Sequence, residues 1–368
     1  MRYYLLYIMC MFFPLLFVSC SDDADMEEYT PKAIAFDVFM DRSEEVTRSV
    51  IYEDYSELIN HPAGGNFWMK AYLRESSALY IDSRVWYNAD YAAENPDGNH
   101  WQFLEGDDQT GQIYNVYWPK DKVLDFFAYM PYNYEDYNKK DQNGEYTYKV
   151  TPGYDEQNHG VVIGYKMPKV FVEDDDHQEF IYAFTPDKSG ATVSDGKINV
   201  KFVHPLSLIR FKLAKDSYRL KINNLSLTNV HTEGRFKSSQ NTNEGMSGTW
   251  DLTPEDNNTP AKNTLIFNIN KSIPYDINYN AVFGGPYMIL PQTIGDDMEL
   301  TIDADRIDET NEDYIKSVPI KTDEVTEWEP GKRYTYSLRM GNGLSEILLD
   351  VEVEDWVINE YKNVIEVE

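Results

Sequence analysis

Hydrophobic and polar side chains alternate at every second position in many short segments of this chain. The first clear segment, residues 33–40, carries four apolar side chains in this pattern: Ile34, Phe36, Val38 and Met40. Near the end of the chain, residues 346–354 repeat it with Ile347, Leu349, Val351 and Val353. A period of two places such a set on one face of a β-strand. Both segments are therefore predicted to be strands with one buried face.

Other segments after residue 40 show the same strand-like pattern. Predicted strands cover residues 67–73, 83–87, 123–132, 179–184, 197–204, 205–213, 220–230, 265–269, 287–290, 298–302 and 333–340, with a last short one at 363–367. Turn residues separate them, and Asn143-Gly144 predicts a hairpin between residues 138 and 148. No segment keeps a helical period beyond about ten residues. The fold class is therefore predicted to be all-β, with strand spacing typical of sandwiches or barrels.

The start of the chain has a different pattern. Residues 1–17 are almost entirely apolar, with Arg2 as the one charge, and Val18-Ser19-Cys20 leads into an acidic run. This order is typical of a secretory signal peptide. It resembles the lipobox of bacterial lipoproteins, with Phe17 where leucine is usual. The resemblance implies cleavage before Cys20, a lipid on its thiol and folding outside the cytoplasm. The alternative is an uncut membrane anchor, which needs about 20 apolar residues.

Length predicts more than one domain. Removing residues 1–19 leaves about 349 of the 368 residues, more than one ordinary core of about 100–200 residues. The turn at Pro186-Asp187-Lys188-Ser189-Gly190 is the best boundary. We therefore expect a signal peptide at 1–19, an acidic tether at 20–32, and β-sandwich domains at 33–187 and 188–368.

Charge and cysteine content exclude several partners. The chain has 33 Lys and Arg against 63 Asp and Glu, a net charge of −30, which repels nucleic acid. A lipid, rather than a basic surface, should therefore hold the protein to a membrane. Cys10 lies in the predicted signal peptide, and Cys20 would carry the lipid. No thiol then remains for a disulfide or a metal.

Motifs for catalysis are missing from the sequence. It contains no H-E-x-x-H, G-x-S-x-G, P-loop or G-x-G-x-x-G pattern. Residues 141–144 are similar to the middle of an EF-hand loop, but Lys139 and Val150 would then occupy ligand positions. For the acidic residues 174–177, a solvated loop is favoured over a loose metal site, and His204 is expected to be a core or edge residue. We expect neither an enzyme nor a cofactor.

Six short motifs, taken in order, resemble the fimbrillin-like family, the subunits of donor-strand-assembled type V pili. They are residues 33–40 with Thr47-Arg48-Ser49, Trp118-Pro119 with residues 126–131, residues 202–211, Leu290-Pro291-Gln292, residues 328–334 and residues 351–356. The resemblance implies two tandem transthyretin-like β-sandwiches and a structural, adhesive role in a fimbria. It also implies an outer-membrane lipoprotein at the cell surface, whose partners are other fimbrial subunits.

The family's assembly mechanism can be carried onto particular residues. It implies that an Arg-specific protease cuts between Arg48 and Ser49, with Arg42 as the nearby alternative. The cut would release the lipid together with the strand that holds Ile34, Phe36, Val38 and Met40. A donor strand from residues 345–368 of another subunit would fill the groove with Ile347, Leu349, Val351 and Val353. A stalk, a tip and an anchor role all stay open, and an anchor would keep the lipid on Cys20 and its first strand in place.

A second function remains an alternative. Six aromatic residues near predicted turns suit stacking on sugar rings, as in a surface glycan-binding lipoprotein that serves nutrient uptake: Trp86, Tyr87, Trp101, Tyr132, Tyr134 and Tyr137. Core packing and cross-strand pairing also explain such residues in a β protein. The packing interpretation is favoured.

Overall fold

The computed structural model describes residues 30–40, 66–95, 100–105, 111–172, 179–214, 220–238, 248–253, 262–272, 282–306, 313–340 and 347–356. Contacts divide the chain into Met1–Pro31 and a compact unit, Lys32–Glu368. The predictions on Cys20, Arg42, Arg48, Ser49, residues 174–177 and residues 363–367 lie outside the described residues. None of the described helices is long and apolar enough to cross a membrane.

The described part of the chain is built almost entirely of strands, which confirms the all-β prediction. Up to residue 202 its elements are β1 (Ala35–Met40), β2 (Asn66–Leu73), β3 (Leu79–Tyr87), α1 (Ala89–Glu94), β4 (Trp101–Leu104), β5 (Ile113–Tyr114), β6 (Leu124–Met130), α2 (Tyr134–Tyr137), β7 (Lys139–Lys140), β8 (Tyr146–Asp155), β9 (Gly160–Lys166), β10 (Val170–Val172), β11 (Ile181–Lys188) and β12 (Lys197–Phe202), with a 3₁₀ turn at Ser194–Gly196.

Only strands follow in the rest of the described chain. They are β13 (Ser207–Leu213), β14 (Leu220–His231), β15 (Glu233–Ser238), β16 (Gly248–Asp251), β17 (Lys262–Ser272), β18 (Val282–Ile289), β19 (Gln292–Thr293), β20 (Glu299–Arg306), β21 (Asp313–Pro319), β22 (Glu327–Trp328), β23 (Lys332–Met340) and β24 (Ile347–Asp355).

The first hydrophobic core lies between a six-stranded sheet and a strand pair. The sheet has the order β11-β6-β2-β3-β4-β5, and β1 pairs with β12. Side chains from these strands form one buried cluster, which includes Phe36, Phe67 and Phe202. Strands β6 and β11 are buried on both faces, because Phe127 and Tyr182 point into a second cluster. This explains why β6 has a nearly continuous apolar sequence rather than an alternating one.

The second cluster is larger and involves three sheets. Their orders are β10-β17-β14-β20-β21, β18-β13-β23-β24 and β16-β15-β9-β8-β7. Side chains of the first two sheets face each other across a layer rich in leucine, isoleucine and phenylalanine. The third sheet joins this core through Tyr148, Val150, Ile163 and Phe236.

Two features bear on the domain boundary expected at residue 188. Strand β12, which carries Ile198, Val200 and Phe202 into the first core, follows that position. In addition, β9 pairs with β15 and β10 pairs with β17, so strands from both sides of residue 188 share sheets. The division into two transthyretin-like domains at 33–187 and 188–368 stays a prediction.

The hairpin predicted at Asn143-Gly144 is confirmed. Strands β7 and β8 pair in antiparallel fashion across it. Gly144 has a φ of +82°, which glycine adopts readily. The Asp141 carboxylate accepts hydrogen bonds from the backbone N–H groups of Asn143 and Glu145, at 2.8 and 3.0 Å. The Asp141 carboxylate therefore stabilises the turn through hydrogen bonds within it.

Candidate strand-exchange site

Three of the four side chains predicted to be displaced lie in the first core, on β1 or just before it. Ile34, Phe36 and Val38 are each at most 7% exposed. The Phe36 ring packs edge-on against Phe103 and Phe67, with ring centroids 5.1 and 6.1 Å apart. The side chain of Met40 lies outside the described residues. Phe36 and Val38 therefore lie on the buried face of β1, and Ile34 is buried just before this strand.

The backbone of β1 is held mainly along one side. A parallel ladder joins it to β12, from Ala35 opposite Lys197 to Met40 opposite Phe202. Just before β1, the Ile34 N–H donates to the Val116 carbonyl at 2.8 Å, and the Trp118 N–H donates to the Lys32 carbonyl at 2.9 Å. No other strand of the described chain pairs with β1 over Ala35–Met40. Strand β1 is thus an edge strand in this structure.

A glycine turn at the start of β12 lets β1 approach closely. Gly196 has a φ of +75°, and a Cβ atom there would lie 2.4 Å from the Ala33 carbonyl oxygen. The Gly196 carbonyl accepts a hydrogen bond from Trp118 Nε1 at 3.2 Å. A weak ion pair of 3.5 Å between Lys197 and Asp37 adds to this end of the ladder. Only glycine fits this position without moving β1.

Burial of three apolar side chains stabilises the packing of β1 and the residue before it against the first core. At about 1.5–3 kcal/mol for each side chain, Ile34, Phe36 and Val38 contribute roughly 5–9 kcal/mol. Removing β1 would expose the side chains it covers, including Phe67, Phe103 and Phe202. The result would be an apolar groove along a free β12 edge, which is a template for another strand.

The predicted donor strand, β24, completes a sheet of its own chain. It pairs in antiparallel fashion with β23, from Lys332 opposite Asp355 to Met340 opposite Ile347, and lies at the edge of its sheet. Val351 is buried, whereas Ile347 and Leu349 are half-buried. Val353 was expected on the same face but is 46% exposed. The buried face of β24 therefore ends at Val351.

Ion pairs cover the acidic face of β24. Glu352 contacts Lys212 at 2.7 Å, and Glu354 lies 3.6 Å from Arg210 and 3.9 Å from Arg333. The Asp355 carboxylate accepts a hydrogen bond from Lys332, which raises the pKa of that ammonium group. The carboxylates of these pairs are solvent-exposed, so each pair contributes little energy, although Arg210 and Arg333 are themselves buried. The pairs align β24 with the strands beside it.

A buried aromatic stack secures the end of β24. Trp356 is 2% exposed, and its ring stacks on His204 at 4.2 Å with an interplanar angle of 12°. His204 Nδ1 hydrogen-bonds to a carboxylate oxygen of Glu179, which is fully buried. The Trp356 N–H also donates to the Gly331 carbonyl at 2.7 Å. The prediction that His204 is a core or edge residue is confirmed, because its side chain is buried. Its Nε2 has no hydrogen-bond partner among the described residues, and the sequence did not indicate Glu179 or Trp356 as neighbours.

Five of the six aromatic residues considered for sugar stacking pack against other side chains: Tyr87, Trp101, Tyr132, Tyr134 and Tyr137. Trp101 is buried against Phe67, at 5.2 Å between ring centroids, and Tyr87 lies 5.3 Å from Trp101. The Arg84 guanidinium lies over the Tyr132 ring at 5.1 Å. Trp101 is buried, and the other five, which include Trp86, Tyr134 and Tyr137, are half-buried. Their surroundings favour the packing interpretation.

Comparison with known proteins identifies the family. A model of the fimbrillin-like family matches residues 85–356, which is well over half of the chain. The chain belongs to the fimbrillin-like family. The matched region of this family member includes β24 but begins after β1. A search of curated protein sequences gave no significant match.

The solved structures that match this chain include three fimbrial proteins. A fimbrial protein from Bacteroides vulgatus is 14% identical, with 88% of this chain and 99% of that chain covered and a TM-score of 0.50. The tip fimbrial protein Mfa3 from Porphyromonas gingivalis is 11% identical, with 79% and 94% covered and a TM-score of 0.39. The fimbrial anchor protein Mfa2 from the same organism is 10% identical, with 90% and 100% covered and a TM-score of 0.30. The first of these supports the fold assignment.

Proposed function

We propose that this chain is a structural and adhesive subunit of a cell-surface fimbria, assembled by donor-strand exchange after export as an outer-membrane lipoprotein. Membership of the fimbrillin-like family supports a fimbrial role. The signal-like residues 1–19 and Cys20 support export and lipid attachment. Other subunits of the fimbria, an Arg-specific protease and the membrane are then its partners.

The position of β1 is the observation that carries the proposal. It is an edge strand with one continuous ladder, and its side chains Phe36 and Val38 are buried together with Ile34 just before it. Cleavage between Arg48 and Ser49, or after Arg42, would leave β1 joined to the rest of the chain only by non-covalent contacts. Strand β1 runs parallel to β12. A donated strand that runs antiparallel to β12 would form a more stable ladder with it than β1 does, because antiparallel pairing is slightly more stable per residue.

The donor in this proposal comes from residues 345–368 of a neighbouring subunit. Strand β24 already alternates apolar and acidic side chains, so it can lie in an apolar groove with one face inward. Leaving its own sheet would expose Val351 and Trp356, which are buried in the subunit alone. Strand donation therefore requires a groove that buries β24 at least as well as its own sheet does.

A disulfide that locks β1 to β12 tests the proposal. Asp37 and Asn199 are opposite each other in the parallel ladder, and neighbouring strands lie about 4.8 Å apart, which a disulfide can span. A chain that starts at residue 21 has no natural cysteine. We would therefore introduce Asp37→Cys and Asn199→Cys and treat the purified protein with an Arg-specific protease. Assembly would be followed as SDS-resistant ladders and by sequencing of the new N-terminus.

We expect ladders and a terminus at Ser49 for the unmodified chain, and no ladders for the oxidised double variant. Reduction should restore assembly, and Asp37→Ser with Asn199→Ser should assemble under both conditions. Ladders from the oxidised variant would show that β1 is not displaced. Deletion of residues 345–368 is a weaker test, because it also removes Trp356 from the core.

A further inference from the structure

The outer face of the sheet β16-β15-β9-β8-β7 carries a cluster of basic side chains. The inner face of β8 and β9 is apolar, with Tyr148, Val150, Val161 and Ile163 in the second core. Alternation then places Lys149 and Thr151 of β8 on the outer face with Gly164 and Lys166 of β9. In a chain with 63 acidic and 33 basic residues, a basic sheet face is unexpected.

The register sets two lysines directly opposite each other. Lys149 pairs with Lys166 across β8 and β9, and Lys166 is next to Glu233 of β15. Lys166 forms an ion pair with Glu233, whereas among the described residues no ion pair is found for Lys149. The Lys149 ammonium instead lies 4.5 Å from the centre of the Tyr146 ring. Like charges directly opposite on one sheet face reduce stability, so the fold alone does not explain this pair.

A glycine leaves a depression in the outer face of the sheet beside these lysines. Gly164 is opposite Thr151 on one side and Arg235 on the other. A Cβ atom at Gly164 would have as its nearest neighbour the Thr151 side chain at 3.6 Å, an ordinary contact. A side chain would therefore fit here, and glycine instead leaves a depression bordered by Lys149, Lys166 and Arg235.

The depression is part of an open groove of about 950 Å³. Its charged lining residues are four bases and three acids: Lys149, Lys166, Lys169, Arg235, Glu145, Glu233 and Asp251. Thr151, Thr253 and Asn263 add hydroxyl and amide groups, and Leu252 is the one aliphatic lining residue. A second groove of about 420 Å³ shares Tyr146, Lys149 and Thr151 with the first and adds Lys140 and Glu135.

We propose that this groove, centred on Gly164, binds an acidic polysaccharide that carries carboxylate or sulfate groups. Lys149, Lys166 and Arg235 can bind the anionic groups by charge-assisted hydrogen bonds. Glu233 and Asp251 can accept hydrogen bonds from sugar hydroxyls. The chemistry favours a saccharide over an acidic peptide, because Glu145, Glu233 and Asp251 lie among the bases. These acids would repel a continuous run of carboxylates but can accept hydrogen bonds from sugar hydroxyls. The site is separate from β1 and β24, so it does not depend on strand exchange.

Binding to immobilised full-length protein tests the proposal. The probes are polygalacturonate, dextran sulfate, uncharged dextran and poly-glutamate. We expect the first two to bind, more weakly as salt increases. Lys149→Gln with Arg235→Gln should weaken this binding about tenfold or more, as expected for the loss of charged hydrogen bonds. The tighter of the two polysaccharides identifies carboxylate or sulfate as the preferred group.

Two further variants separate binding from folding. Gly164→Val fills the depression with a residue that favours strands, so it should abolish binding without lowering the melting temperature. Lys149→Gln should melt at the same or a higher temperature, because it removes the opposed lysines. Lys122→Gln with Lys321→Gln removes two positive charges outside the groove lining and should bind normally.

Three results would overturn the proposal. The first is that neither anionic polysaccharide binds. The second is that the groove variants bind as well as the control variant. The third is that poly-glutamate binds as tightly as the polysaccharides, which would indicate an acidic protein segment as the ligand.

Discussion

At the scale of single residues, His204 connects parts of the chain that are far apart in sequence. It hydrogen-bonds to Glu179, just before β11, and stacks on Trp356, just after β24. A buried carboxylate is costly unless a partner compensates it, and His204 supplies that partner here. The stack therefore fixes the end of β24 to the segment that joins β12 and β13.

Truncating Trp356 is expected to destabilise the protein severely. Trp356→Ala removes a ring that is 2% exposed, which typically costs about 3–5 kcal/mol of unfolding free energy. The measurement is urea denaturation, with hydrogen exchange to localise the effect to β24. Val353→Ala is the matched control, because Val353 is 46% exposed and its truncation should change stability by less than about 0.5 kcal/mol. Equal losses in the two variants would contradict this account of β24.

At the scale of secondary structure elements, the contact between β1 and β12 depends on the turn at Gly196. We expect Gly196→Ala to destabilise this contact by at least about 1–2 kcal/mol, because the residue is left-handed and a Cβ would meet the Ala33 carbonyl. Amide hydrogens of β1 should exchange faster, while those of β23 stay protected. Gly153→Ala is a suitable control, since its Cβ would meet only the Val162 carbonyl at 3.6 Å. Unchanged protection of β1 would show that the turn does not hold it.

Alternation in the sequence predicted most strands that bury one face, and β1, β12 and β24 are examples. It did not predict β8 beyond residue 148, because Pro152 and Gly153 are residues that strands usually exclude. Strand β8 tolerates Pro152 because, in the described structure, only β9 pairs with it at that point. The choice of partners was also unpredictable, since the parallel pairing of β1 with β12 depends on contacts between distant segments.

Asp125 shows the same limit for a polar side chain. It interrupts the apolar sequence of β6 and is fully buried. Its carboxylate accepts hydrogen bonds from Arg74 and Tyr154 at 2.7 Å and from the Asp187 N–H at 2.8 Å. These donors are 51, 29 and 62 residues away in the chain, so no local pattern identifies them. The sequence therefore predicted the two strands of the candidate site, β1 and β24, but not the residues that they contact.

At the scale of the whole molecule, several tyrosines are buried, among them Tyr148, Tyr334 and Tyr336. The chain has 29 tyrosines. Burial, assisted by Asp82 and Glu156, raises the pKa of Tyr72 to about 12. Burial also raises the pKa of Tyr334 to about 12, and it raises the pKa values of Tyr148 and Tyr336 further. The folded protein therefore keeps these phenol protons at a pH where an unfolded chain has lost them.

Stability should therefore fall at alkaline pH. A raised pKa in the folded state stabilises it fully below the unfolded value of about 10, and this contribution is lost as the pH rises from about 10 towards 12. Absorbance at the phenolate wavelength should show part of the tyrosines un-ionised at pH 11 in the native protein. In denaturant all of them should titrate near pH 10, which is the control. Tyr72→Phe and Tyr334→Phe should each reduce the alkaline loss of stability measured by urea denaturation, because each removes one of the linked protons. Identical titration curves in the native and denatured protein would mean that the phenol groups are exposed to water in the folded chain.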